Sequence, residues 1–252
     1  MKNKVELLGY YGNDLVHAQS AWTSTSRELS EDKLARVGTL LDMLAIEGHH
    51  TPFEKSSLHF LVTVDQATHI HLLKHRIGVS INGESARYKE LKEDKMYIPE
   101  DWKTINRFPK IVTEEDDENE VEYEETALYN ANFDGNALQI LLEDCDNKGQ
   151  NWSDILEIYA ELGNALYHAA LKDLTPVLGR KRAKESARFF KTMNSQITMD
   201  VMFNWRSFAH FLKLRNSEHA QKEVRELAQQ MLELVEEIPG NPFQKSIKAF
   251  DL

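Results

Sequence analysis

The sequence predicts a single mixed α+β domain, and three observations support this prediction. Strand-like segments near residues 5–12, 58–64 and 197–203 are interspersed with amphipathic helical segments. The chain has 252 residues, of which 41% are hydrophobic, so it can bury one sizeable core. Neither an internal repeat nor a Pro/Ser-rich linker divides it. We therefore expect one domain over residues 1–252.

The first part of the chain contains several signals for helix boundaries. Asp14 occupies an N-cap position for a short helix. A second helix is expected from Ser30 or Asp32 to Gly48, because apolar residues recur at helical spacing between them. Pro52 disfavours helical geometry at the residue before it, so a polar turn is predicted there.

The remaining elements follow from apolar periodicity and from helix breakers. A glycine-bearing loop is expected at residues 78–86. A long amphipathic helix is expected from Ser153 to Leu171, and Pro176 is expected to end this region. The other helices are expected at residues 66–76, 182–190, 205–214 and 217–237.

The charge distribution excludes some classes of function. The net charge is −11, and residues 114–125 alone contain nine acidic residues in twelve positions. Such a run is typical of a solvated insertion, which we place near residues 104–150. Without a basic face, nucleic-acid binding is not expected. The absence of a long apolar run and of a signal sequence predicts a cytoplasmic protein without membrane segments.

Cysteine and metal chemistry are poorly supported by the sequence. Cys145 is the only cysteine, and its acidic neighbours disfavour the thiolate, so a catalytic cysteine is not expected. His71 and His75 are four residues apart, as two metal ligands on one helix can be. Since no acid follows at a metalloprotease spacing, no metal site is predicted.

The polar residues that are suited to anionic ligands are concentrated in two segments. Residues 74–88 contain cationic side chains at a predicted helix end, followed by small and glycine residues and then Arg87. Guanidinium groups bind phosphates through paired hydrogen bonds, and glycine lets the backbone approach a ligand. Residues 204–219 place Arg206 and His210 on one helical face. The alternative for both segments is a solvated helix surface.

Four sequence blocks, which agree with the family in order and spacing, resemble flavin-dependent thymidylate synthases. Lys74-His75-Arg76, followed after eight residues by Ser85-x-Arg87-Tyr88, is similar to the family's Arg-His-Arg signature. The other blocks are His49-x-Thr51-Pro52-Phe53-Glu54, Met96-Tyr97-Ile98-Pro99, and Asn204-x-Arg206-Ser207 to Arg215-x-x-x-His219-Ala220-Gln221-x-Glu223. The sequence departs from the family pattern at Lys55, His71, Lys74, Gly83 and His210.

The resemblance implies a fold, a reaction and a set of ligands. The fold would be the thymidylate-synthase-complementing fold, an antiparallel β-sheet flanked by helices. The reaction would be reductive methylation of dUMP to dTMP without a cysteine nucleophile. FAD would be the cofactor, with 5,10-methylenetetrahydrofolate as carbon donor and NADPH as reductant. The assembly would be a homotetramer with shared active sites.

The resemblance also implies roles for individual residues. Arg215 would be catalytic, contacting the pyrimidine and favouring its ionised form. His49 would lie near the flavin and folate rings. The FAD-binding residues would be Ser24, Thr51, Glu54, Lys74, His75, Arg76, Asn204, Arg206, His210 and His219. The dUMP-binding residues would be His71, Lys74, Gly83, Glu84, Ser85, Ala86, Arg87, Arg188 and Arg215.

Three alternatives remain open at this stage. A different flavin or nucleotide enzyme could share the scaffold, and it would bind FAD without methylating dUMP. A nonenzymatic interaction module could use the acidic run as its docking segment. A metal-dependent hydrolase would be sensitive to chelators.

Overall fold

A four-stranded antiparallel sheet forms the centre of the fold. The computed structural model describes residues 2–85, 87–104 and 151–252. The strands are β1 (Lys4–Tyr11), β2 (Ser57–Asp65), β3 (Val79–Gly83) and β4 (Gln196–Asn204), and their spatial order is β1-β2-β4-β3. Every neighbouring pair is antiparallel. The predicted α+β class with an antiparallel sheet is confirmed.

The described residues form two compact units. The first contains the described residues within Met1–Tyr97 and Met193–Leu252, and the second contains those within Ile98–Thr192. Short 3-10 helices span Thr51–Lys55, Glu100–Thr104 and Arg188–Phe190. The α-helices are α1 (Asp14–Trp22), α2 (Glu31–Ala35), α3 (Val37–Ile46), α4 (Gln66–Leu72), α5 (Trp152–Ala187), α6 (Trp205–Arg215), α7 (Lys222–Glu236) and α8 (Gln244–Ala249). The predicted acidic insertion and Cys145 lie outside the described residues.

One face of the sheet is buried in the core of the first unit. Alternate residues of β2 and β4 point to this face, so Phe60 pairs with Val201 and Leu58 pairs with Phe203. The ring of Phe208 in α6 stacks on Phe60 with a centroid distance of 5.7 Å. Each such side chain contributes about 1.5–3 kcal/mol when it leaves water. The sheet and α6 are therefore held together mainly by apolar burial.

The prediction of a loop at residues 78–86 is wrong for the first part of this segment. Residues 79–83 form strand β3, which pairs with β4 from Val79↔Phe203 to Gly83↔Met199. The small polar residues of this segment carry a weak strand signal. The edge of β4, more than a hundred residues later in the chain, supplies the hydrogen-bond partners that make it a strand.

Two predicted helix boundaries also differ from the structure. The second helix is interrupted at Arg36, whose φ of −97° and ψ of 7° separate α2 from α3. Helix α5 continues past Pro176 and is kinked at Gly179, where φ is +76°. Proline costs a hydrogen bond but has a helical φ, whereas a left-handed φ cannot continue a helix. No helix among the described residues is both long and apolar enough to cross a membrane.

Asp14 caps a different helix from the one predicted. The side chain of Asn13 accepts a hydrogen bond from the backbone N–H of Val16 and thus caps α1. Asp14 instead accepts hydrogen bonds from the backbone N–H groups of Lys245 and Ser246, at 2.8 and 2.9 Å. These residues lie in the first turn of α8, a helix that was not predicted from the sequence. Asp14 therefore ties the end of the chain to its first helix.

His17 is the centre of a polar network in this core. Its side chain is fully buried, with Ser246 Oγ 2.9 Å from Nδ1 and Ser56 Oγ 2.7 Å from Nε2. Burial lowers the pKa of His17 from 6.5 to about 4. The imidazole is therefore neutral at physiological pH.

The titration of His17 predicts a loss of stability in acid. Because the unfolded chain binds the proton more tightly, the stabilisation is complete above pH 6.5 and is lost as pH falls towards about 4. The loss amounts to about 3 kcal/mol in the free energy of unfolding. His17→Gln should remove this part of the pH dependence, as measured by urea unfolding between these two pH values. His75 titrates in both proteins, so an identical pH dependence in wild type and variant would contradict the prediction.

Candidate active site

Helix α6 organises the polar residues of the candidate site. Asn204 ends strand β4, and its side chain accepts a hydrogen bond of 2.9 Å from the backbone N–H of Ser207. This N-cap makes the chain turn directly from strand to helix. Arg206 and His210 are exposed on α6, and Arg215 is half-buried in its last turn.

The segment after α4 is pinned to the beginning of α6. The backbone N–H of Asn204 donates to the carbonyl of Gly78 at 2.9 Å, and the hydroxyl of Ser207 donates to the carbonyl of Ile77 at 2.6 Å. Gly78 has a φ of +64°, and a Cβ atom there would clash with the side chains of Asn204 and Ser207. The predicted Lys74-His75-Arg76 triplet is thereby held beside α6, although the two segments are far apart in sequence.

His75 and Arg215 form the central contact of the site. Nε of Arg215 donates a hydrogen bond of 3.0 Å to Nε2 of His75. The accepting nitrogen carries no proton, so His75 is the neutral Nδ1–H tautomer. Burial, the charge of Arg215 and the nearby His210 and His71 together lower the pKa of His75 to about 4, and burial is the largest cause. A neutral imidazole and a permanent cation are thus fixed side by side.

The terminal nitrogens of Arg215 are free to bind a ligand. Within the part of the chain that the structure describes, Arg215 makes its side-chain hydrogen bond through Nε alone. The ring of His75 also packs edge-on against Phe211, with centroids 5.1 Å apart, and lies 6.4 Å from the ring of His210. The core thus fixes the imidazole, and the imidazole orients the guanidinium.

An ion pair joins the 3-10 helix Thr51–Lys55, called the 3-10 turn below, to α6. Nη1 of Arg206 lies 2.5 Å from Oε1 of Glu54, and both side chains are partly exposed. His49 and Thr51 are exposed at the start of the same turn. The predicted residues Glu54 and Arg206 are therefore brought together across 152 positions of sequence.

His71 connects α4 to the start of α7. Its Nε2 donates a hydrogen bond of 2.9 Å to the side-chain carbonyl of Gln221, whose amide donates to Glu223 at 2.8 Å. Gln221 was not among the site residues predicted from the sequence. Its position two residues after His219, inside the fourth matching block, was the available signal.

The end of β3 is fixed by local hydrogen bonds. One carboxylate oxygen of Glu84 accepts from the backbone N–H of Thr198 at 3.0 Å, and the other accepts from Lys89 at 2.8 Å. Burial raises the pKa of Glu84, but the hydrogen bonds from Lys89 and Thr198 outweigh it and hold the pKa below its usual value. Gly83 ends the strand, and the hydroxyl of Ser85 accepts from the backbone N–H of Arg87 at 3.3 Å.

The remaining predicted residues are not brought together by contacts that the structure describes. The hydroxyl of Ser24 donates to the carbonyl of Ala21 at 2.9 Å, and His219 is exposed in the loop before α7. Lys74 and Arg76 are also exposed, and Arg87 lies over the ring of Tyr88 at 5.9 Å. Arg188 belongs to the second unit, and Ala86 lies outside the described residues. Over residues 2–85, 87–104 and 151–252, no group of three or more His, Cys, Asp and Glu side chains could hold a metal.

Comparison with known proteins defines the class. The profile of the thymidylate synthase complementing protein family matches residues 6–239. This chain therefore belongs to that family.

Several relatives share most of this chain at modest identity. A flavin-dependent thymidylate synthase of Ehrlichia ruminantium is 27% identical over 234 residues, which are 93% of this chain and 67% of the relative. One from Kosmotoga olearia is 26% identical over 230 residues, which are 90% of this chain and 82% of the relative.

A solved structure has a similar fold. The UMP/dUMP methylase PolB from Streptomyces cacaoi, bound with 5-Br dUMP, has a TM-score of 0.66 at 24% identity, covering 99% of this chain and 95% of that one.

The contact of Gly78 with α6 gives a testable prediction. Gly78→Ala should lower the free energy of unfolding more than Gly240→Ala, because both positions have a left-handed φ but only Gly78 faces side chains. We expect about 1 kcal/mol for the backbone alone and about 1–3 kcal/mol more for the clash. Urea unfolding of the two variants measures the difference, and equal losses would show that the Gly78 contact is unimportant.

Proposed function

We propose that this protein is a flavin-dependent thymidylate synthase that converts dUMP to dTMP. The carbon donor is 5,10-methylenetetrahydrofolate, and NADPH is the reductant, acting through FAD. The observation that carries the proposal is the pairing of Arg215 with a neutral His75, which lie in two different family blocks. Family membership and the relatives described above support the same reaction.

The FAD-binding surface consists of the 3-10 turn, the triplet and α6. Arg206 and His210 are exposed on α6, and Glu54 positions Arg206 through their ion pair. Lys74 and Arg76 provide cations for the phosphates of the cofactor, since charge-assisted hydrogen bonds to phosphate are strong. Ser24, Thr51, His75, Asn204 and His219 complete the proposed set. FAD supplies hydride chemistry that no protein side chain can perform.

Arg215 is proposed to act on the pyrimidine of dUMP. Its terminal nitrogens are available, and its Nε is held by His75. A guanidinium stabilises negative charge on the pyrimidine without losing a proton, so it favours ionisation at N3 and makes C5 more nucleophilic. The neutral state of His75 matters here, because a protonated imidazole would be a second cation and would weaken the hydrogen bond that holds the guanidinium.

The rest of the dUMP site is assigned to the end of β3 and to α4. Glu84 is already committed to Thr198 and Lys89, so we assign it the role of holding the backbone of residues 83–85 in place for dUMP. The other proposed dUMP-binding residues are His71, Lys74, Gly83, Ser85, Ala86, Arg87 and Arg188. His49 is assigned to the neighbourhood of the flavin and folate rings.

We further propose a cytoplasmic homotetramer that is built from one enzyme domain per chain. The residues of the site are distributed over several elements, and the exposed Arg188 would serve a site that is completed by another copy. This arrangement follows the family resemblance.

The visible spectrum tests the cofactor and the substrate together. The purified protein, or the protein after addition of FAD, should show flavin absorption that shifts when dUMP is added, because the nucleotide binds against the cofactor. Tritium should then be released from C5-labelled dUMP when methylenetetrahydrofolate and NADPH are present. A protein that takes up no FAD and does not respond to dUMP would contradict the proposal. Flavin binding without tritium release would indicate a different flavoenzyme on this scaffold.

Arg215→Ala separates chemistry from cofactor binding. We expect turnover to fall roughly a hundredfold or more, the usual effect of removing a group that stabilises charge in the transition state. FAD should remain bound, because Glu54, Arg206 and His210 are unchanged. Tritium release and flavin content are the measurements. The matched control is Arg36→Ala, an exposed arginine paired with Asp32, and this variant should keep normal turnover. Near-normal turnover of Arg215→Ala would show that the assigned role is wrong.

A further inference from the structure

The buried network around His17 takes no direct part in the proposed chemistry, yet it lies directly beneath the flavin-binding turn. His17, Ser56 and Ser246 are 0–3% exposed. His17 comes from α1, Ser56 directly follows the 3-10 turn, and Ser246 lies in α8. Burying polar groups is unfavourable unless each finds a partner, and here the partners come from three distant parts of the chain.

Asp14 determines the direction of every hydrogen bond in the network. Its carboxylate accepts from the hydroxyl of Ser246 at 2.6 Å. Since that hydroxyl has one proton, its oxygen accepts the second bond, which Nδ1–H of His17 donates. Nε2 of the neutral His17 then carries a lone pair, and it accepts from the hydroxyl of Ser56. The chain of bonds therefore ends by holding the residue next to the turn.

His17 contacts two residues that attach the turn to the core. The first is Ser56, which is also confined from the other side, because a Cβ atom at Gly12 would meet Ser56 Cβ at 2.7 Å. The second is Phe53, the buried side chain of the turn. Its ring packs edge-on against His17 at 5.2 Å and against Phe250 at 4.7 Å.

We propose that His17 is a positioning residue for the flavin site, which it serves by fixing the 3-10 turn through Ser56 and Phe53. Thr51 and Glu54 project from the outer side of that turn, and Glu54 orients Arg206. A shift of the turn would therefore move Thr51, a proposed FAD ligand. It would also move Glu54, the ion-pair partner of Arg206, which is another proposed FAD ligand. The inference rests on the proposed function, because it takes Thr51, Glu54 and Arg206 as FAD ligands.

Two substitutions of His17 separate positioning from general stability. In His17→Asn the amide replaces Nδ1 and can still donate to Ser246, but nothing reaches Ser56. In His17→Gln the side-chain oxygen can replace Nε2 and accept from Ser56. We expect FAD to bind about tenfold more weakly to His17→Asn, the usual effect of one buried hydrogen bond, and close to normally to His17→Gln. Titration of the FAD-free protein with FAD gives the dissociation constants.

Ser56→Ala tests the same link without altering the imidazole. It should weaken FAD binding by a factor similar to that of His17→Asn, and the double variant should bind no more weakly than either single variant, because both remove one interaction. Ser56→Ala also keeps the test usable if His17→Asn does not fold. Val235→Ala is the stability control. It removes a buried apolar side chain of α7, so it should lower the melting temperature while FAD affinity is retained.

The outcomes distinguish the inference from the proposed function. If the wild type binds FAD and both Ser56→Ala and His17→Asn bind it equally well, His17 does not position the turn. Equal weakening in His17→Gln and His17→Asn would likewise overturn the inference, because the acceptor for Ser56 would then be irrelevant. If the wild-type protein takes up no FAD, the proposed function is wrong and the inference fails with it.

Discussion

The junction between β4 and α6 is the constraint on which the candidate site depends. Asn204 closes the central strand, caps the helix through Ser207 and donates its backbone N–H to Gly78. One residue thus fixes the direction of α6, the position of the triplet after α4 and the start of β3. The apolar face of the sheet makes this junction rigid, because Phe203 and Phe208 are fully buried on either side of it. The polar residues can then remain near the surface without losing their geometry.

The electrostatic character of the site follows from this rigidity. Burial makes protonation of the His75 imidazole unfavourable, and the half-buried guanidinium beside it acts in the same direction. The pair therefore combines a permanent cation at Arg215 with a neutral hydrogen-bond acceptor at His75 that orients it. Such preorganised charge suits the stabilisation of an anionic pyrimidine. The ion pair of Glu54 with Arg206 is more exposed and contributes mainly to the placement of side chains.

The first unit contains two kinds of polar cluster, and burial distinguishes them. Asp14, His17, Ser56 and Ser246 lie in the core with their hydrogen bonds satisfied, so they define how three segments of chain meet. The residues on α6 and around the triplet are more exposed, and several of their polar atoms face outward. The buried cluster stabilises the arrangement and the outer cluster is available to ligands. Phe53 and Ser56 connect the two, since Phe53 lies in the turn that carries Glu54 and Ser56 directly follows it.

The sequence by itself determined the α+β class, the strands β2 and β4, helix α6 and the family, because apolar periodicity and motif spacing are local properties. It also predicted that His75, Arg215, Glu54 and Arg206 serve one function. Only the tertiary structure decided that 79–83 is a strand, that Asp14 caps α8 and that His17 lies within a hydrogen-bonded core. It alone paired His75 with Arg215. Each of these depends on at least one partner more than a hundred positions away, and no local pattern encodes which distant groups will satisfy a buried donor or acceptor.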